Sequence, residues 1–313
     1  MSKTNTNFKY ISKTSKGYSV HITPDVSLAN GGIQKLTRKN LKDAVYARNL
    51  LYGFDVDAPP VPGVPEISIA PGQSTVRFAA LGDTHLGSKY EALDALHSFY
   101  SECYQRGIEV FFHAGNFIDG HKHPADVHTW GLTNQAKYFI DHYPRVTTYV
   151  ASTYLITGDD HEGHYLHTEG IDAGEYTCAL AEKAGRFDLH YAGYVQADFV
   201  MGGFKVRLVH GGGGSAAAVS WAGQRIVDSL PAGEIPDVLL VGHYHKAVHV
   251  PNYRGCDIIL TGAFQYQSPF MRKKNLQSTV GGWIVELSRN SAGLIRVQAE
   301  FLSYPTPTWK GRP

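Results

Sequence analysis

The sequence predicts an α/β core of mixed β-sheets flanked by helices, preceded by a small α+β module. Short apolar runs recur along residues 76–262 and end in polar loops rich in Gly, His and Asp. Segments with apolar residues at helical spacing stand between several of these runs. The last third is dense in strand candidates with no intervening helices, which favours mixed sheets over purely parallel ones.

In chain order, YSVHI at 18–22 alternates like a short strand. LTRKNLKDAVYARNLLYGF at 36–54 reads as a helix, with Thr37 as N-cap and Gly53 as stop. Residues 1–58 carry nine basic and four acidic side chains, a net +5 hidden within an overall charge of +1. This is a basic module small for a core of its own. Residues 59–75, rich in Pro and Gly, fit a linker, and 76–313 form the main domain. VRFAAL at 76–81 is a strand, 91–107 a helix, IEVFFHAG at 108–115 a strand, and 126–142 a helix. VTTYVASTYLITGDDHEG at 146–163 supplies strand and loop, and 171–184 reads as a helix. FKVRLVH at 204–210 is a strand, 215–230 a helix, and DVLLVGHYH at 237–245 a strand and loop. VHVPN, DIILTG, GWIVEL and LIRVQAEFL are the late strands.

No stretch approaches the roughly 18 apolar residues of a membrane helix, so no membrane role is expected. The polar start MSKTNTNFKY has no apolar signal core. Cys103, Cys178 and Cys256 are odd in number and far apart, which excludes a disulfide framework or a CxxC knuckle. A reducing cytoplasm is the simplest expectation.

Five strand ends present groups suited to metal ions: Asp83 and His85 in GDTH; Asn116 and Asp119 in HAGNFID; Asp159, Asp160, His161 and Glu162 in GDDHE; His210 in VHG; and His243 and His245 in GHYH. One Asp-x-His pair means little, but packing alone does not readily produce five such ends in succession. Carboxylate, amide and imidazole donors without thiolate favour Mn²⁺, Fe²⁺ or Zn²⁺. Neighbouring glycines let the backbone turn tightly beside them.

On GDTH, GN, DDH, VHG and GHYH, the chain resembles the calcineurin-like metallophosphoesterase superfamily over about residues 76–262. The resemblance implies a metallophosphoesterase-like core of two mixed β-sheets and two divalent ions, Mn²⁺ first, with Fe²⁺, Zn²⁺ or Mg²⁺ as alternatives. It implies one ion on Asp83, His85 and His245, and the other on Asp160, His210 and His243. It places Asn116 where an aspartate bridges both ions, and His161 on the leaving-group side of the phosphate. The ions, roughly 3.5–4 Å apart, activate water and clamp phosphate oxygens, and His161 protonates or stabilises the leaving oxygen. Asp119, Asp159 and Glu162 are candidates to orient the ligands from behind.

Two positions depart from the family pattern. Asp160 stands where asparagine is usual, and Asn116 stands where aspartate is expected. An amide offers one oxygen and a donor nitrogen, so it cannot bridge as a carboxylate does. The expectation is a weakened site. It is either an engineered replacement that traps substrate or a natural binding protein that has lost catalysis.

GDTHLG, HAG and GHYHKA look most like the double-strand-break repair exonucleases and related phage enzymes. The resemblance implies DNA phosphodiester hydrolysis, with a homodimer and an ATPase as partners, in a phage-encoded protein acting in the host cell. Lys35, Arg38, Lys39, Lys42 and Arg48 in the basic module are candidate nucleic-acid contacts. So are Arg272, Lys273 and Lys274, beside Phe264, Tyr266 and Phe270. Two alternatives stay open: a phosphatase or phosphodiesterase acting on small nucleotides, and a disabled nucleic-acid-binding or scaffold protein.

Overall fold

The computed structural model describes residues 11–14, 17–21, 35–38, 66–67, 75–146, 151–214, 218–290 and 295–305. Contacts divide the chain into two units: Met1–Gly63 with Tyr165–Ile171, and Val64–His164 with Asp172–Pro313. In the first, β1 (Ile11–Thr14), β2 (Gly17–His21) and β3 (Lys35–Arg38) form an antiparallel meander. The strand expected at 18–22 is thus present as β2. The helix expected from residue 36 does not begin there. Thr37 pairs with Ser19 inside β3, so cross-strand pairing overrides its capping propensity. Residues 39–54 lie outside the described residues.

The second unit holds two six-stranded mixed sheets. One has the order β15-β14-β5-β6-β7-β8. Its strands are β5 (Thr75–Leu81), β6 (Val110–His113), β7 (Ser152–Thr157), β8 (Leu189–Tyr194), β14 (Gly281–Arg289) and β15 (Ile295–Ser303). β5 to β8 are parallel, and β14 and β15 add antiparallel pairings. The other sheet has the order β12-β13-β11-β10-β9-β4. It contains β4 (Glu66–Ile67), β9 (Gln196–Met201), β10 (Phe204–His210), β11 (Val238–Gly242), β12 (Ala247–Tyr253) and β13 (Cys256–Thr261). β4 falls in the stretch expected as a linker, yet it pairs with β9.

Phe78, Phe112, Val206, Leu208, Leu240 and Val285 join both sheets in one buried cluster. The central strands β6 and β11 are therefore buried along their whole length, which is why they read as continuous apolar runs. β15, an edge strand, is only partly covered. Helices α1 (Leu93–Gln105), α2 (Leu132–His142), α4 (Ala173–Lys183) and α5 (Trp221–Ser229) flank the sheets. α1 lies on β14, α4 on β7 and β8, and α5 on β13. α2 starts six residues later than the pattern predicts, after a 3₁₀ turn at Pro124–Asp126. The short helices α3 (Gly163–Glu169) and α6 (Pro269–Lys273) and the strands β8 and β9 were not expected. Among the described residues no helix is long and apolar enough to cross a membrane.

Candidate metal centre

The donor-bearing loops all leave the carboxyl ends of parallel strands. β5 leads to Asp83 and His85, β6 to Asn116 and Asp119, and β7 to Asp160 and His161. β10 ends in His210, and β11 leads to His243 and His245. Ligands collect in such crevices because the loops there are free of the ladder while the strands hold them in place.

The structure brings the predicted donors together as two triads, Asp83–His85–His245 and Asp160–His210–His243, each with its donor atoms within 4.8 Å of one another. In the first triad, His85 Nε2 is 3.3 Å from His245 Nε2, and Asp83 Oδ1 is 3.5 Å from His245 Nε2. In the second, Asp160 Oδ1 is 3.2 Å from His210 Nε2, and Asp160 Oδ2 is 3.5 Å from His243 Nδ1. Asp83 Oδ1 and His85 Nε2 are 4.0 Å apart; donors about 2.1 Å from a shared ion stand roughly 3–3.5 Å apart, so the triads are near coordination size.

The ring nitrogens facing away from the centre are engaged elsewhere. His85 Nδ1 is 2.9 Å from Asp119 Oδ1, and His210 Nδ1 donates to Ala114 O at 2.7 Å. His243 Nε2 donates to Gly213 O at 2.8 Å, and His161 Nδ1 to Asp119 O at 2.9 Å. Each bond fixes a tautomer that leaves the opposite nitrogen with a lone pair for an ion or a substrate proton. Asn116 Oδ1 and His243 Nδ1 are buried and lack a hydrogen-bond partner. Unsatisfied buried acceptors are costly in a protein without ligand, and a cation would satisfy both. The residues present therefore fit divalent ions.

Asp83, His85, Asn116, His243 and His245 all have left-handed backbones, with φ of 50°, 46°, 51°, 85° and 52°. Non-glycine residues rarely adopt this region, and each costs of order 1–3 kcal/mol. The surroundings hold them there. Asp83 N donates to Gly115 O, His85 N to Asn116 O, and Phe264 N to Asp83 O. Asp83 also accepts from His243 N, at 2.8 Å to Oδ2.

Burial pushes the Asp83 carboxyl up to about 6, against the pull of nearby His210. Burial pushes the imidazoles of His85 and His161 down to about 3. Burial would raise Asp160 as well, but the close approach of His210 and His243 holds it well below the usual carboxylate range. Burial thus keeps His85, His161 and His245 neutral, as ions require of imidazole ligands, whereas His243, although burial opposes it, is raised by the neighbouring Asp160 carboxylate.

Asn116 and Asp160 meet directly: Asn116 Nδ2 donates to Asp160 Oδ1 at 3.1 Å. Lys122, which the sequence reading missed, places Nζ 3.0 Å from Asp160 Oδ2. Gln265, also missed, donates to Asp119 Oδ1 at 3.3 Å. Neither lies in a motif, and only the folded loops bring them in. Of the three residues expected to orient the ligands, Asp119 is the one that meets His161, through its backbone carbonyl. Glu162, fully buried, accepts from Asn116 N and Gly158 N, both at 2.8 Å. It clasps the β6 and β7 loops together. Asp159 is exposed and accepts from Tyr194 Oη.

The nucleic-acid candidates scatter. Lys35 and Arg38 lie on β3, and Lys39, Lys42 and Arg48 lie outside the described residues. Arg272 and Lys273 are exposed on α6, and Lys274 lines the cleft beside the donors. Phe264 is buried, whereas Phe270 is 40% exposed and lines the same cleft.

No family model matches the chain, and no curated protein does. Among solved structures, Vps29 from Entamoeba histolytica complexed with zinc is similar at 14% identity, covering 72% of this chain and 99% of that one, with a TM-score of 0.36. The hypothetical protein PH1004 from Pyrococcus horikoshii is similar at 14% identity, covering 73% and 88%, with a TM-score of 0.40. The NAD nucleotidase NadN of Haemophilus influenzae is similar at 10% identity, covering 74% and 51%, with a TM-score of 0.36.

Proposed function

We propose that this chain hydrolyses phosphodiester bonds, in DNA first, using two divalent ions held by Asp83, His85 and His245 and by Asp160, His210 and His243. One observation carries the reading: two triads near coordination size converge from four strand ends, and four of their six donor residues have strained left-handed backbones. The nitrogen and oxygen donor set suits Mn²⁺, Fe²⁺ or Zn²⁺, and Mn²⁺ is the first to test, with Mg²⁺ as a further alternative. Bound there, the ions would supply Lewis acidity for activating water and charge to balance the phosphate oxygens.

The chain's own residues do the rest. His161, with Nδ1 tied to the Asp119 carbonyl, presents Nε2 to the cleft. The imidazole, neutral in the free protein, would take up a proton at Nε2 beside the anionic phosphate and hand that proton to the leaving oxygen. Asp119 and Gln265 hold His85 from behind. Lys122 adds a positive charge at the cleft side of Asp160.

Asn116 on its own favours a second reading, a site disabled for catalysis. The 3.1 Å contact between Asn116 Nδ2 and Asp160 Oδ1 favours another account. Amide and carboxylate have exchanged places between the β6 and β7 loops, so the pair keeps one carboxylate and one amide. Asp160 would then supply the carboxylate oxygens beside His210 and His243, and Asn116 would contribute its single orphaned oxygen.

The test is Mn²⁺-dependent hydrolysis of end-labelled single- and double-stranded DNA. Cleavage that EDTA abolishes, and that His161→Ala lowers by about 10²–10⁴-fold, supports the reading. Inertness of the unmodified chain toward DNA and small phosphodiesters with every divalent ion sinks it.

A further inference from the structure

A cleft of about 410 Å³ opens beside the donor triads, a size suited to one small ligand. One wall is aromatic. The His123 ring stacks on Phe270 with centroids 4.8 Å apart and planes inclined by 28°. Phe270 nevertheless stays 40% exposed, an apolar ring left bare at the edge of a polar centre. His123 also stands 5.8 Å from the His161 ring, which ties the aromatic wall to the proton-donating side of the site. His123 Nε2 is buried and lacks a hydrogen-bond partner. Lys122 and Lys274 line the same cleft, as does Asp126.

These features select for one kind of ligand. A partly exposed aromatic ring favours a flat partner. An orphaned imidazole nitrogen favours a partner with hydrogen-bonding edges. The ammonium groups and the donor triads favour an anion on the other side. We infer that Phe270 and His123 form a shelf for the base of a nucleotide whose phosphate reaches the donor triads. The unit this cleft accepts is one unstacked nucleotide, free or at a single-stranded end, and not a paired duplex. The inference rests on the phosphoesterase reading for the phosphate half and on the cleft alone for the base half. It narrows the substrate, because a base within a duplex already has both faces covered and cannot also stack on Phe270.

The experiment is calorimetric titration of the full chain with adenosine, adenosine 5′-monophosphate, ribose 5-phosphate and inorganic phosphate, with and without Mn²⁺. It is repeated on Phe270→Ala and Phe270→Tyr. Base–aromatic stacking is worth roughly 5- to 150-fold in affinity. The monophosphate should therefore bind tighter than ribose 5-phosphate by a factor in that range. Phe270→Ala should remove the difference for adenosine and its monophosphate while leaving ribose 5-phosphate unchanged, and Phe270→Tyr should keep it. A single-stranded octamer that binds more tightly than the monophosphate identifies a strand end as the source, and the reverse identifies a free nucleotide. Equal binding of the monophosphate and ribose 5-phosphate overturns the shelf, as does an unchanged ratio in Phe270→Ala or tighter binding of a blunt duplex than of the octamer. Failure of the phosphoesterase reading has a separate signature: Mn²⁺ then has no effect on phosphate binding, while the adenosine titrations still test the shelf.

Discussion

The contact between Asn116 and Asp160 gives the sharpest prediction. Replacing Asn116 by Asp substitutes an anionic oxygen for a donor nitrogen 3.1 Å from Asp160 Oδ1. Two unit charges about 4 Å apart repel by about 4 kcal/mol at an effective dielectric near 20. Without ions, Asn116→Asp should therefore be less stable by about that amount near neutral pH, or should hold a proton on the pair. Asp160→Asn removes the carboxylate that faces His210, His243 and Lys122, and should bind one ion instead of two. The double variant, Asn116→Asp with Asp160→Asn, restores one carboxylate and one amide. It should recover both ions and most of the lost stability. The assays are urea unfolding after EDTA treatment and calorimetric counting of Mn²⁺. Suppose Asn116→Asp alone leaves metal-free stability unchanged and raises turnover, while the double variant gains nothing. The exchange account then fails, and Asn116 is simply a disabling replacement.

Further predictions concern the frame around the centre. Glu162→Ala leaves the buried N–H groups of Asn116 and Gly158 without an acceptor. At about 1–3 kcal/mol each, it should cost roughly 2–6 kcal/mol of unfolding free energy. Glu162→Gln, which keeps the accepting oxygen, should cost far less. Gly158→Ala would put a Cβ 2.3 Å from Asn116 Oδ1 and 2.9 Å from His210 Cδ2. It should weaken Mn²⁺ binding and lower stability by about 1–3 kcal/mol, read by calorimetry and thermal melts. His113 lies outside both triads. Burial, helped by nearby His210, lowers it from 6.5 to about 3, so the folded protein keeps it neutral. The unfolded chain binds its proton below about 6.5. His113 thus contributes stability that is full above that pH and is lost as the pH falls toward 3. Comparing urea midpoints of the unmodified chain and His113→Gln across that window should show a slope difference of up to about 1.4 kcal/mol per pH unit. Identical slopes would refute this account of His113.

The order of strands and the donor residues were legible because both depend on short-range pattern. A strand buried on both faces reads as an apolar run, and its carboxyl end is marked where Gly, Asp and His interrupt it. VRFAAL, FKVRLVH and DVLLVG show this plainly. Thr37 was misread because capping is a local preference, and pairing with Ser19 on β2 outweighs it. β4 was missed because two residues carry no period, and their place at the sheet edge is set by β9. The roles of Glu162 and Asp119 were hidden for a different reason. Both adjoin motif residues, so their identities were visible, but which atom each touches depends on loop closure across 46 and 34 residues of chain. Lys122 and Gln265 had no sequence mark at all.

The left-handed backbones explain why these loops are tied so heavily from behind. Sequence patterns flag such conformations through glycine, yet here Asp83, His85, Asn116, His243 and His245 adopt them with full side chains. At about 1–3 kcal/mol each, five such residues store energy comparable to the net stability of a whole domain. The loops can hold that geometry only if other bonds oppose relaxation. Those bonds converge on the same few residues: Gly115 and Asn116 carbonyls receive the β5 loop, Asp83 receives His243 N, and Glu162 receives the β6 and β7 loops. A buried protein core would gain nothing from such an arrangement. A site that must present several donors to a pair of small cations gains fixed donor positions, with little reorganisation left for the moment of binding. The strain and the clasp are therefore one feature. Loosening the clasp should first be felt as weaker ion binding and only then as loss of the fold.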